Sequence, residues 1–175
     1  MLYVAPSILL VAAVAAAHPV PARPAPDEEQ KRAAAAWVKD GIDWTNQLTA
    51  YGETLGRMLG PILDGNSGDA MRAELKRTKA ALDAKLEYFK ARPAPAFREM
   101  NAFKTLFLDY LVWENRVFVS LMGDLLKTAE DRKMKRAEKE AALMQTLQST
   151  DKEEQAWKAK LGASMQAVDA VVNRK

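Results

Sequence analysis

Residue 114 is an acid in the stretch where the chain is otherwise most apolar. At about 100° per residue, Phe103, Phe107, Tyr110, Glu114, Val117 and Leu121 fall along one row of a helix, which Met100 and Leu125 extend. A carboxylate on such a row is costly to bury unless it is paired or protonated. One chemistry that suits it is anchoring a ligand's polar group, or exchanging a proton, in a central cavity. The other is a buried hydrogen bond to a tyrosine such as Tyr110, to a tryptophan or to a basic side chain, which would set helix register. No second acid, histidine or metal set is spaced around Glu114 in sequence, so it forms no catalytic constellation.

Gly52, Gly56 and Gly60 make a second pattern, each four residues from the next beside an apolar arc. Each glycine costs a helix about 1 kcal/mol relative to alanine, so three in a row need compensation. The expected compensation is close approach of an alanine-rich neighbour such as the last helix. A groove left open for a ligand or partner is the functional alternative. Asp40, Asp43, Glu53 and Arg57 charge the same helix and argue against a membrane dimer built on these glycines. Trp37, Trp44, Trp113 and Trp157 fall on apolar faces and are read as core, with an aromatic cage or lipid-facing site as the alternative. The basic run Arg132-Lys133-Met134-Lys135-Arg136 is flanked by Glu130, Asp131, Glu138 and Glu140. That pattern reads as a solvated helical face with i,i+4 pairs, not as a phosphate-binding strip.

Other chemistries are closed by what the chain lacks. It has no cysteine and a single histidine, His18. Disulfides, thiolate metal sites, covalent haem attachment and cysteine nucleophiles are therefore excluded, as are paired-histidine motifs and a serine–histidine pair in the folded region. If processing exposed His18 as an amino terminus it would offer copper an amine and a ring, but a copper brace needs a second histidine. No cofactor and no metal are expected.

The elements that must position Glu114 and the glycines follow from composition and periodicity. The 175 residues are 49% hydrophobic, 28% charged and 7% aromatic, which suits one helical domain. A net charge of +3 is too small an excess to argue for nucleic acid. Residues 1–17, MLYVAPSILLVAAVAAA, carry no charge and are shorter than the roughly 20 apolar residues of a spanning helix. Ala15 and Ala17 make an Ala-x-Ala cleavage signal before His18, with Val20 and Ala22 as a second candidate, although no lysine or arginine precedes the apolar stretch. Residues 1–17 are thus expected to be a signal peptide and 18–27, with four prolines, an extended linker. The mature chain is expected to be exported to the periplasm, the cell surface or the medium and not to be an integral membrane protein.

Residues 28–173 are expected to form an all-α, antiparallel up-down four-helix bundle. The first helix starts behind Asp27 as N-cap. Its apolar positions, Trp37, Gly41, Trp44, Leu48, Tyr51, Leu55, Met58 and Ile62, alternate steps of four and three, a heptad repeat of the coiled-coil type. Pro61 is expected to kink or end it near Gly60, and Asp64-Gly65-Asn66-Ser67-Gly68 forms a turn. A second helix spans Asp69 to Ala91 and ends at Arg92-Pro93-Ala94-Pro95. The third starts near Ala96 and is the most apolar. A turn is placed at 127–133, where Thr128 could cap the next helix. The last helix runs through Met134, Met144, Leu147, Trp157, Leu161, Met165 and Val168. A break near 149–151 is the alternative to one continuous helix, because the apolar pattern lapses from Gln148 to Gln155 and Thr150-Asp151-Lys152-Glu153 matches a capping box.

The leading functional expectation is a non-enzymatic protein that presents helical surface to another protein or an envelope component. The alternative is a carrier or sensor of a small apolar or amphipathic ligand held between helices near Glu114, which requires a cavity there. Neither the oligomeric state nor the partner is encoded in a recognisable motif.

Overall fold

A computed structural model describes residues 25–173, and these form helices with no strand among them. The order is α1 (Glu28–Leu63), α2 (Asp69–Ala91), α3 (Arg98–Arg116), a π-helical segment (Val117–Leu121), α4 (Met122–Glu130) and α5 (Arg136–Val172). α3, the π segment and α4 make one continuous rod, so four helices build the bundle. The expected signal peptide, most of the linker and His18 lie outside the described residues.

Local chemistry explains the ends. At the start of α1, the Gln30 backbone N–H donates to Asp27 Oδ1 at 2.8 Å, and the Asp27 N–H donates to Gln30 Oε1 at 3.2 Å. Two otherwise orphaned donors are thereby satisfied reciprocally. Pro61 does not end α1 at Gly60 and lies inside a helix that continues to Leu63. It stands in the last turn, where one lost hydrogen bond is tolerable, and Ile62, buried in the core, holds that turn in place. The chain then reverses through Gly65, whose φ of 97° suits glycine. α2 begins against the far end of the rod. The Gly68 N–H donates to Glu130 Oε1 at 3.1 Å, and Arg72 Nη1 reaches Glu130 Oε2 at 2.7 Å. Any side chain at Gly68 would overlap Glu130 Oε1 and Leu126 Cδ1.

The turn expected at 127–133 falls at residues 131–135, and Thr128 is not a cap. Ala129, fully buried, carries α4 one turn further. Asp131 Oδ1 then accepts from the Lys133 N–H at 2.8 Å, and α5 starts at Arg136 with the Lys135 N–H donating to Glu138 Oε2 at 2.9 Å. α5 is unbroken over 37 residues. Thr150 does not open a new helix; its hydroxyl donates back to the Thr146 carbonyl at 3.1 Å inside the continuing one.

The core has two aromatic centres. Trp37, Phe89, Phe103 and Phe107 join α1, α2 and α3, with ring centroids 4.9 to 5.9 Å apart. Tyr110, Trp113 and Trp157 join α3 to α5 at 6.0 to 6.2 Å. Each ring pair adds about 0.5–1.5 kcal/mol beyond area burial, so the aromatics fix how the rod meets its neighbours. Around the first centre, Asp40 on α1 accepts from Tyr88 Oη at 2.7 Å and from Arg92 Nη1 at 2.6 Å, tying the start of α1 to the end of α2.

Candidate functional site

Glu114 is buried, at 5% exposure, and Tyr110 beneath it is at 1%. Tyr110 Oη donates to Glu114 Oε1 at 2.5 Å, an i,i+4 bond along α3. The sequence reading of a tyrosine-bonded acid therefore describes this pair. The packing around it is open, however: Glu114 lines a cleft of about 380 Å³ between α1, the rod and α5. Leu48, Thr49, Gly52 and Glu53 supply the α1 wall, and Val117, Phe118, Leu121 and Met122 continue the rod's wall beyond Glu114. Leu147, Thr150, Asp151, Glu154 and Lys158 supply the α5 wall.

Two local features open this space. The π segment begins three residues after Glu114 and widens the helix to an i→i+5 pattern, a distortion frequent at functional sites. It also turns the rod. The sequence row placed Val117 and Leu121 inward, but they are half-buried and Phe118 and Met122 are buried in their stead. One extra residue per turn rolls the positions next to it, Phe118 and Met122, while Leu125 stays buried where the row had placed it and Leu126 joins it. The second feature is the inward row of α5. Where Met144 and Leu147 were expected to pack, they are 55% and 37% exposed, and Leu143 is the buried residue. Thr146, Thr150 and Glu154 follow Leu143 toward the bundle, each half-buried. Both threonine hydroxyls are turned back onto carbonyls four residues earlier, at 2.9 and 3.1 Å. Short and polar side chains on an inward face leave volume unfilled, so the lapse in the apolar pattern from Gln148 to Gln155 is the wall of a cleft, not the end of a helix.

The glycine stripe divides. Gly52 borders the cleft, and a Cβ there would meet only Phe118 Cζ at 4.0 Å. Gly56 and Gly60 are exposed, and a Cβ on either meets nothing within 4 Å. Close approach of an alanine-rich neighbour is therefore not the reason for the stripe. Each four-residue step advances about 40° beyond a full turn, which carries the row off the inner face. The close approach on α1 is at Gly41, where an added Cβ would stand 3.3 Å from Phe107 Cζ. A smaller apolar cleft of about 190 Å³ lies beside it between α1, α3 and α5, with Lys158 at the border of both.

Burial pushes the Glu114 pKa up to about 7. The hydrogen bond from Tyr110 pulls it down, nearby Glu154 raises it further and Lys158 opposes that. Burial, followed by the charge and hydrogen bond of Glu114, drives the Tyr110 hydroxyl far above its ordinary value, so it stays a donor. Lys158 Nζ is held 2.6 Å from Glu154 Oε1, and Trp113 Nε1 donates to Glu153 Oε2 at 3.1 Å. The arrangement can enclose an apolar body, pair with a charge and exchange a proton near neutrality.

Elsewhere, the basic run is not the helical face expected: Arg132, Lys133, Met134 and Lys135 lie in the turn between α4 and α5, and of the five only Arg136 is helical. Arg136 pairs with Glu140 at 2.7 Å and with Asp64 at the end of α1. Among the described residues no cluster of acidic or histidine side chains could hold a metal, and no helix is long and apolar enough to cross a membrane. No protein family, characterised protein or solved structure matches this chain.

Proposed function

We propose that the chain is an exported, non-enzymatic antiparallel up-down bundle that holds a small amphipathic ligand in the cleft beside Glu114, as a carrier or sensor. One observation carries this reading: an acid at 5% exposure borders a cleft of about 380 Å³. An acid that only sets helix register needs no adjoining space, and its neighbours would be expected to close over it. The volume is in the range of pockets that take small organic ligands, and apolar walls with a few polar groups are their usual lining. Export rests on the apolar address at residues 1–17.

Trp113 lines the cleft and Trp157 stands 6.2 Å from it, so intrinsic fluorescence reports occupancy. Titration with amphiphiles of both charges and none should give a saturable change with at least one class. Gly52→Leu should abolish it with helix content intact, because the new side chain projects into open space beside Phe118. A spectrum indifferent to every amphiphile, or unchanged binding in Gly52→Leu, rejects the reading.

The surface-presenting role, foremost in the sequence, draws support from Val112 and Val119, which are 54% and 44% exposed on the rod. Its test is cross-linking in native envelope fractions. A reproducible partner lost in Val112→Glu and Val119→Glu supports it, and its persistence in both variants rejects this surface.

A further inference from the structure

We infer that the ligand of this cleft is an organic cation, an alkylammonium whose charged head rests between Glu114 and the aromatic wall and whose chain follows Phe118, Leu121 and Met122. The inference rests on the ligand-binding reading above and names its chemical class.

The charge of the lining points this way. Four carboxylates border the cleft, Glu53 from α1, Glu114 from the rod, and Asp151 and Glu154 from α5, against one ammonium, Lys158. That ammonium is already engaged by Glu154 at 2.6 Å. The π segment and α4 contribute apolar side chains only, and α2 contributes none of the lining. An anionic head group would therefore meet net repulsion in a partly desolvated space, where charges interact strongly. A neutral head group would leave Glu114 to ionise without a counter-charge.

The shape of the polar end adds a second, independent argument. Tyr110 and Trp113 line the same end as Glu114, their rings 6.0 Å apart and nearly parallel. Aromatic rings beside a carboxylate are the surroundings in which alkylammonium groups are recognised, and Trp113, the less buried of the two, is the ring the head group would meet. The remaining wall, Phe118, Leu121 and Met122, offers hydrocarbon for the chain. Only the ionised Glu114 pairs with a cation, and its pKa near 7 makes uptake depend on pH in the neutral range. Glu53, Asp151, Glu154 and Lys158 are the other charged groups facing the cleft, and Tyr110 is the neutral donor on the same helix.

The test compares octyltrimethylammonium, 1-octanol and octanoate by tryptophan fluorescence on the full chain and on Glu114→Gln, from pH 6 to 8. The cation should bind most tightly at pH 8 and about tenfold more weakly at pH 6, the ratio set by the fraction of Glu114 ionised. Glu114→Gln keeps an acceptor for Tyr110. It should weaken the cation at least about tenfold at pH 8, flatten its pH profile and leave 1-octanol unchanged. Equal or tighter binding of 1-octanol or octanoate overturns the cation inference while the ligand cleft stands. If none of the three probes binds, the inference falls, and failure of the wider amphiphile panel then removes the ligand-binding reading as well.

Discussion

At a pH where an ordinary glutamate is fully ionised, Glu114 is divided between its two forms, since burial has pushed its pKa up to about 7. The folded chain thus holds a proton that the unfolded chain, with a value near 4.5, has released. Between those two values the native state binds more protons, so the contribution of Glu114 to stability falls as pH rises and its full penalty is present above about pH 7. Glu114→Gln removes the ionisation and should match the parent at pH 4 while exceeding it by up to about 3 kcal/mol at pH 8. Urea midpoints at the two pH values measure this, and a constant difference between the variants contradicts it. The glycines give a matched pair at the same scale. Gly56→Ala should stabilise by about 0.5–1 kcal/mol, since helix propensity improves and the new Cβ meets nothing. Gly41→Ala should instead lose about 1–3 kcal/mol. Its Cβ presses on Phe107, which Trp37, Phe89 and Phe103 hold on other sides. Thermal melts that move both variants in one direction refute the contrast. The burial of Glu114 was legible because an acid interrupts an apolar row. The division of the stripe was not, because a spacing of four tells which positions align along a helix but not where the neighbouring helix leaves off.

Two elements give the cleft its form, and both depart from regular expectation. The π segment amounts to one residue inserted into a rod that is α-helical before and after it. Deleting the exposed Val119 should let the rod close into continuous α-helix with both flanking faces in register, at a cost below about 2 kcal/mol, whereas deleting the exposed Thr105 displaces Phe107, Tyr110 and Leu111 and should prevent folding. Circular dichroism melts of the two deletions settle it: similar losses in both mean that the π segment does not absorb the slip. The π segment left no mark in composition, since Val-Phe-Val-Ser-Leu is an ordinary apolar stretch; the packing of Phe118 and Met122 selects it. α5 did leave a mark. Its lapse from Gln148 to Gln155 was visible, but a helix end and a polar inner face produce the same pattern, and only the neighbours distinguish them.

Taken whole, the molecule is held unevenly. α3 contributes seven buried residues in 19, including Phe103, Phe107 and Tyr110, while α5 contributes Leu143, Leu161 and Val168 in 37. Amide exchange should therefore be slowest in α3 and markedly faster in α5 between residues 144 and 158, where few apolar contacts oppose local opening. An α5 as protected as α3 would contradict this picture. The amino-acid sequence by itself determined that the described chain is helical, where α2 begins and ends, that Asp27 caps α1 and that Glu114 sits on the inner face of the third helix. These follow from local rules: helical period, capping chemistry, and the geometry of proline and glycine. Tertiary structure alone decided that α1 passes through Pro61, that α5 is continuous, that the rod turns at Val117, and that Glu114 borders space instead of a filled core. Each of these is a balance between a modest local cost and the packing available from other helices, and the sequence of one helix does not contain the surface of the next.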